Sequence, residues 1–99
     1  MDLNKPIRTA VDTGKVEFGS STAKKLSLTG GAKLVVIADN CPVPVKQDLE
    51  HYCKLSKIPL VVYDGSSVKL GMVCGKPFTV AALSVLNEGD SGLLSAVRG

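Results

Sequence analysis

The run Lys33-Leu34-Val35-Val36-Ile37-Ala38 constrains the fold of this chain more than any other stretch. It is a continuous aliphatic block closed by Gly30-Gly31 on one side and by Asp39-Asn40-Cys41-Pro42 on the other. Short, without alternation and β-branched at its centre, it predicts a strand covered on both faces. Such a strand needs helices above and below it, so the flanking sequence must supply amphipathic stripes.

The stripes are present. Leu3, Ile7, Ala10 and Val11 fall at i, i+4, i+7 and i+8, which predicts a first helix capped by Asp2 and ended by Gly14 in a left-handed turn. A short extended stretch, Lys15–Phe18, follows. Gly19-Ser20-Ser21-Thr22 offers cap candidates for a second helix to about Leu28, closed by Gly30-Gly31. Val45, Leu49, Tyr52 and Cys53 repeat the first stripe, so a third helix starts at Val43 or Pro44 and runs to Ser56. Proline in a first turn costs no hydrogen bond. Ile58-Pro59-Leu60-Val61-Val62-Tyr63 reads as another buried strand, and Ser66 or Ser67 as the cap of a short helix to about Val73. After a loop at 74–77, residues 78–86 read as a central strand, and the Gly- and Ser-rich tail from Asn87 has room for a last helical turn. The order α-β-α-β-α-β-α-β predicts an α/β fold with a parallel or mixed sheet and helices on both faces. No linker or repeat interrupts it, so residues 1–99 are expected to form a single domain.

A chain of 99 residues has little material for an enclosed active site and its supporting shell, which favours binding over catalysis. The net charge of +3 matters less than its placement. Lys24, Lys25 and Lys33 lie between Phe18 and Ala38 with no acid among them, and Lys69 and Lys76 lie in an acid-free stretch from Gly65 to Leu86. A solvated face without a partner would give the same pattern. Cys41, Cys53 and Cys74 form no Cys-x-x-Cys pair, and an odd count closes no disulfide framework. They fit a reducing, cytoplasmic compartment, as buried apolar side chains. No signal-peptide core and no bilayer-length apolar run is apparent, so no membrane partner is expected.

Catalytic and cofactor chemistry find little support. His51 is the one histidine, and its spacing from Cys53 turns the two away from each other on a helix. One histidine and three scattered cysteines make poor metal ligands, so no metal and no enzyme activity is expected. Gly71-Met72-Val73-Cys74-Gly75-Lys76-Pro77 has a glycine spacing one short of a phosphate-binding loop, a proline where Ser or Thr would hold magnesium, and a strand after it where a helix should open. No cofactor and no small-molecule substrate is therefore expected. A cysteine-dependent enzyme remains the least supported class.

Two segments suit RNA. Gly19-Ser20-Ser21-Thr22 leads from a strand into a helix, whose first N–H groups and positive dipole end can meet a phosphate or a base edge, with Lys25 about one turn further in. An ordinary capped helix would look the same. The loop Gly75-Lys76-Pro77-Phe78 carries one basic residue and ends in an aromatic ring that either meets an unpaired base or opens the core of its strand.

Across nearly the whole chain the motifs are specific. Asp12-Thr13-Gly14-Lys15, Phe18-Gly19, Gly30-Gly31-Ala32-Lys33-Leu34-Val35, Ile37-Ala38-Asp39-Asn40-Cys41-Pro42, Asp48-Leu49-Glu50-His51-Tyr52-Cys53-Lys54-Leu55-Ser56 and Leu70-Gly71-Met72-Val73-Cys74-Gly75-Lys76-Pro77-Phe78 resemble the L-thirty-e family of archaeal and eukaryotic large-subunit ribosomal proteins, within the kink-turn RNA-binding superfamily. The absence of eukaryotic extensions gives the chain an archaeal look. The resemblance implies a three-layer α/β/α sandwich on a four-stranded mixed sheet. It implies a cytoplasmic, ribosomal, non-enzymatic protein that binds rRNA beside neighbouring ribosomal proteins and is monomeric when free. Gly19 and the first turn at Ser20, Ser21 and Thr22 would meet the sheared G·A pairs of a kink-turn-like internal loop, with Lys25 on the RNA backbone. Asn40 would touch the same RNA, and Gly75, Lys76, Phe78 and Val80 would pack against its extruded base. The wider superfamily carries Gly-x-Asn-Glu-x-x-Lys at the helix start, where this chain keeps Gly19 and Lys25 but has Ser21 and Thr22 in place of the Asn-Glu pair. Neutral hydroxyls make weaker bonds than charged partners, which implies weaker binding to isolated RNA than a more basic relative shows. The alternatives are a kink-turn binder of another ribonucleoprotein particle and a protein–protein adaptor on the same fold.

Overall fold

The computed structural model describes residues 4–89, 92 and 93. The elements are α1 (Asn4–Thr13), β1 (Lys15–Phe18), α2 (Ser20–Thr29), β2 (Leu34–Ile37), α3 (Val43–Ser56), β3 (Leu60–Val62), α4 (Ser67–Val73) and β4 (Ala82–Asn87). They form an α/β fold with one four-stranded sheet in the order β1-β4-β2-β3. The sheet is mixed: β4 runs antiparallel to both β1 and β2, and β3 is parallel to β2.

All four residues of β2 are buried, as its unbroken aliphatic run requires. Strand alternation sends Leu34 and Val36 into one core, with Ile7, Ala10, Leu70, Cys74, Leu83 and Val85. Val35 and Ile37 enter the other, with Ala23, Leu49, Cys53 and Ala82. Helices α1 and α4 therefore pack with one set and α2 and α3 with the other. Each fully buried Leu, Ile or Val contributes about 1.5–3 kcal/mol from burial alone, before conformational entropy is subtracted. The Ser84 hydroxyl is buried in central β4 without a hydrogen-bond partner among the described residues.

Several expectations need correction. The buried strand foreseen at 58–63 is instead the short edge strand β3, and Val62 is 47% exposed. Composition cannot distinguish an edge strand from a central one, because that depends on which strands pair. The last strand begins at Ala82, not at Phe78; Phe78 and Thr79 are exposed loop. Gly14 is not left-handed. Its backbone passes so close to β4 that a Cβ would stand 2.0 Å from the Asn87 carbonyl oxygen, so close approach, not φ, requires the glycine. The left-handed stop occurs at Gly30, whose N–H donates to the carbonyls of Leu26 and Ser27. Ser66 caps α4, accepting from the Lys69 N–H. The Asp2 cap lies outside the described residues, as does the expected C-terminal turn apart from Gly92 and Leu93.

Candidate functional site

The pairing of the strands gathers four loops at one rim of the sheet. Phe18 pairs with Leu83 and Ile37 with both Ala82 and Val62, so the carboxyl ends of β1, β2 and β3 meet the amino end of β4 there. The Gly19 N–H donates to the Ala82 carbonyl at 3.0 Å, the Ala38 N–H to Ala81 at 2.8 Å, and the Asp39 N–H to Gly65 at 3.0 Å.

Gly19 is the hinge of this rim. Its φ of 107° with ψ of 145° lies in a region that L side chains rarely adopt. It makes a sharp exit from β1 into α2 while its carbonyl accepts the Ala23 N–H at 3.0 Å. Gly19 is itself the N-cap, and no side chain caps α2. Ser20, Ser21 and Thr22, expected as cap candidates, lie instead inside the first turn, with Ser21 exposed. The helix tip thus offers backbone N–H groups and the positive end of a dipole to a partner. Lys25 is exposed on the same helix, whereas Lys24 is held by Asp48 at 3.2 Å.

The second segment reaches this tip. Phe18, the residue before Gly19, meets Phe78 edge to face with ring centroids 6.1 Å apart. The Lys76 ammonium lies 5.2 Å from the Phe18 ring centre, a cation–π contact. Phe78 is 52% exposed, and with Val68, Met72, Lys76, Pro77 and Thr79 it lines an open hollow of about 280 Å³. The sequence left Phe78 open between a core residue and an exposed ring; the structure makes it an exposed ring. Gly71 fixes its position: a Cβ there would stand 2.2 Å from the Phe78 carbonyl oxygen, so this loop lies directly on α4.

Asn40 also lies at the rim, and its side chain braces the loops. Its Oδ1 accepts the Ser67 N–H at 2.9 Å and its Nδ2 donates to the Ser67 hydroxyl at 3.4 Å. The Ser67 carbonyl in turn accepts the Val80 N–H at 3.0 Å. Gly75 turns the loop at φ 71°, with the Arg8 guanidinium against it. Val80 is a correction. It is 2% exposed and belongs to the core around Leu70 and Leu83, so it has no surface to give to a base. Its role is to anchor the loop from below.

Sequence reasoning missed Phe18 as the partner of Phe78, and Arg8 beside Gly75. An aromatic immediately before Gly19 was a usable signal for Phe18. No local signal marks Arg8, because only the packing of α1 brings it to the loop.

Nucleophilic chemistry is poorly served. All three cysteines are free and buried, and burial pushes each thiol up, Cys74 to about 11 despite the opposing pull of Lys76 and Arg8. A reactive cysteine needs the opposite shift. His51 is exposed, beside Tyr52. Among the described residues no cluster of three or more His, Cys, Asp or Glu side chains could hold a metal, and no helix is long and apolar enough to cross a membrane.

Comparison with known proteins covers nearly the whole chain. The ribosomal protein L7Ae/L30e/S12e/Gadd45 family matches residues 1–95. Large ribosomal subunit protein eL30 of Methanothermobacter thermautotrophicus is 50% identical over 97 residues, covering 98% of this chain and 99% of that protein. Its namesake in Methanocaldococcus jannaschii is 53% identical over 98 residues, covering 99% of this chain and 89% of its own length. A solved structure of a protein of unknown function from Bacillus halodurans C superposes with a TM-score of 0.82, at 21% identity, over 98% of this chain and 93% of the other; that likeness speaks to the fold alone.

Proposed function

The chain belongs to the ribosomal protein L7Ae/L30e/S12e/Gadd45 family, and from that premise we propose that it is a structural constituent of the large ribosomal subunit in the cytoplasm. Its rim binds a kink-turn-like internal loop of rRNA, without catalysis. The carrying observation is the juxtaposition of an uncapped helix tip at Gly19 with the Phe18–Phe78–Lys76 cluster. A bent internal loop presents both of the features such a rim can meet: sugar-phosphate edges for backbone N–H groups, and an unstacked base for an exposed ring. Two relatives spanning nearly the whole chain carry the name large ribosomal subunit protein eL30, which supports the ribosomal assignment.

The helix tip carries hydroxyls where a more basic relative would carry charge. Ser21 and Thr22 give weak, short-reach contacts, so affinity for an isolated hairpin is modest and neighbouring ribosomal proteins supply the remainder. The free chain is a monomeric single domain.

Sedimentation tests the assignment. An epitope-tagged chain expressed in a methanogen should migrate with the large subunit through a high-salt gradient. Recovery in small nuclease-resistant particles would move it to another ribonucleoprotein, and recovery with protein alone would make it an adaptor. In filter binding, an isolated kink-turn hairpin should bind more weakly than it binds a relative with arginine or lysine at position 21; tighter binding contradicts the reading of the helix tip.

A further inference from the structure

The rim proposed for the internal loop is not where the positive charge of this protein gathers. That rim mixes signs: two exposed acids, Asp39 and Asp64, stand alongside Lys25, Lys69, Lys76 and Arg8, the last paired with Asp12 at 3.0 Å. The opposite pole of the sheet differs. Lys15 opens β1 and pairs with Asn87, the last residue of β4. Lys33 precedes β2 and donates its N–H to the Val85 carbonyl at 2.7 Å. Lys54 and Lys57 end α3 just before β3, where the Val35 N–H donates to the Pro59 carbonyl at 3.1 Å.

All four lysines are exposed, and no described carboxylate lies within ion-pair distance of any of them. Of the acids near this end, Asp12 is paired with Arg8 at 3.0 Å, Glu88 is half-buried, and Glu17 is exposed two residues along β1 from Lys15 without reaching ion-pair distance. Neighbouring strands are about 4.8 Å apart, so Lys15 at the start of β1 and Lys33 before β2, two strands over, lie about one Debye length apart at 0.1 M salt, with Lys57 beside the next strand, and neighbouring fields overlap. Lys54 and Lys57 also complement the negative end of α3, which accounts for two of the four but not for Lys15 or Lys33 at strand starts.

From this placement we infer that the pole formed by Lys15, Lys33, Lys54 and Lys57 is a second RNA-binding surface, which grips the phosphate backbone of an rRNA segment other than the internal loop held at the rim. The inference rests on the proposed rRNA-binding role. It divides the work physically: the rim reads shape through N–H groups and a ring, and the far pole supplies sequence-independent attraction. Exposed unpaired ammonium groups release counterions when they meet phosphates, with a salt slope of about −0.9 per contact on a duplex. Leu28 and Leu55 are exposed on the ends of α2 and α3 as well, so a neighbouring protein is the competing occupant that the experiment must separate.

The test compares the wild-type chain with a variant carrying Lys15→Gln, Lys33→Gln, Lys54→Gln and Lys57→Gln, binding two probes over a potassium chloride series. One probe is a short kink-turn hairpin, and the other is protein-free large-subunit rRNA from Methanocaldococcus jannaschii. The variant should keep its thermal melt and its hairpin affinity within about twofold. On the full rRNA it should lose tenfold or more in affinity, with a salt slope shallower by about three units. An unchanged slope on the rRNA overturns the inference and leaves the pole to a protein neighbour. An equal loss on both probes also overturns it, since bulk charge would then account for the effect. A wild-type chain that ignores the hairpin would refute the reading of the rim, while the rRNA slope would still decide the pole.

Discussion

Phe18 and Phe78 meet edge to face, with ring planes at 82° and centroids 6.1 Å apart, one at the end of β1 and the other in the loop after α4. This contact joins the two segments that the RNA-binding reading needs at one place. Phe18 is half-buried against the α1–α4 core, so it is the fixed member of the pair, and Phe78 is the member with surface to offer.

Phe78→Ala should therefore leave the fold intact and weaken binding to a kink-turn hairpin by about 1–3 kcal/mol, the usual cost of losing a base–aromatic contact. Filter binding with a circular dichroism melt as control checks this. Unchanged affinity in a folded variant would remove the ring from the interface.

Adjacent lysines should behave differently. Lys25→Ala should weaken hairpin binding and reduce the salt slope by about one unit, because its ammonium is exposed on the helix that opens at the rim. Lys24→Ala should change the slope less, since Asp48 already holds Lys24 at 3.2 Å. Equal slopes for the two variants would contradict the geometry.

Gly71→Ala separates helix propensity from loop placement. In an open helix, alanine would stabilise by roughly 1 kcal/mol over glycine. Here the new Cβ meets the Phe78 carbonyl oxygen at 2.2 Å, and neither backbone can yield cheaply. Destabilisation of about 1–3 kcal/mol in urea melts is expected, with weaker hairpin binding because the Phe78 loop is displaced. A stabilised variant would show that the loop is free to move off α4.

The cysteines set a limit at high pH. Burial raises the Cys74 thiol from 9.0 to about 11, partly opposed by Lys76 and Arg8. Between those values the native chain keeps a proton that the unfolded chain loses, so the unfolded state binds fewer protons and stability falls as pH rises. The contribution is complete below pH 9 and gone above about pH 11, and its size is on the order of 3 kcal/mol at most. Cys41 and Cys53 shift in the same direction, also through burial. Urea midpoints at pH 8 and pH 10.5 should reveal the decline, and Cys74→Ala should reduce it. Native thiols that react at pH 8 as fast as those of the urea-unfolded chain would contradict their burial.

Helix α3 shows how far local sequence reaches. Its stripe of Val45, Leu49, Tyr52 and Cys53, with a proline in the first turn, predicted a start at Val43 or Pro44 and an end at Ser56, and the helix runs Val43–Ser56, because periodicity and proline geometry are properties of the segment itself. A serine cap for α4 at Ser66 or Ser67 was legible for the same reason, and the structure selects Ser66. The start of β4 was not. Phe78, Thr79 and Val80 look like strand residues, yet the loop lies on Gly71 of α4, exposing Phe78 and burying Val80. At the rim, Gly19, Asn40 and Phe78 were each visible as loop residues of suitable chemistry, whereas Arg8 and the bracing of Asn40 by Ser67 were not.

By itself the sequence determined the type and order of the elements, the buried β2, and the glycine-led entry to α2, since these follow from side-chain periodicity and backbone freedom within a few residues. Tertiary structure alone decided the order β1-β4-β2-β3, which makes β3 an edge. It also decided which loops share a rim and which lysines lie at the opposite pole. Those outcomes depend on which strand pairs with which across the whole chain, and pairing between distant segments is selected by the joint burial of both faces of the sheet, which no single segment encodes.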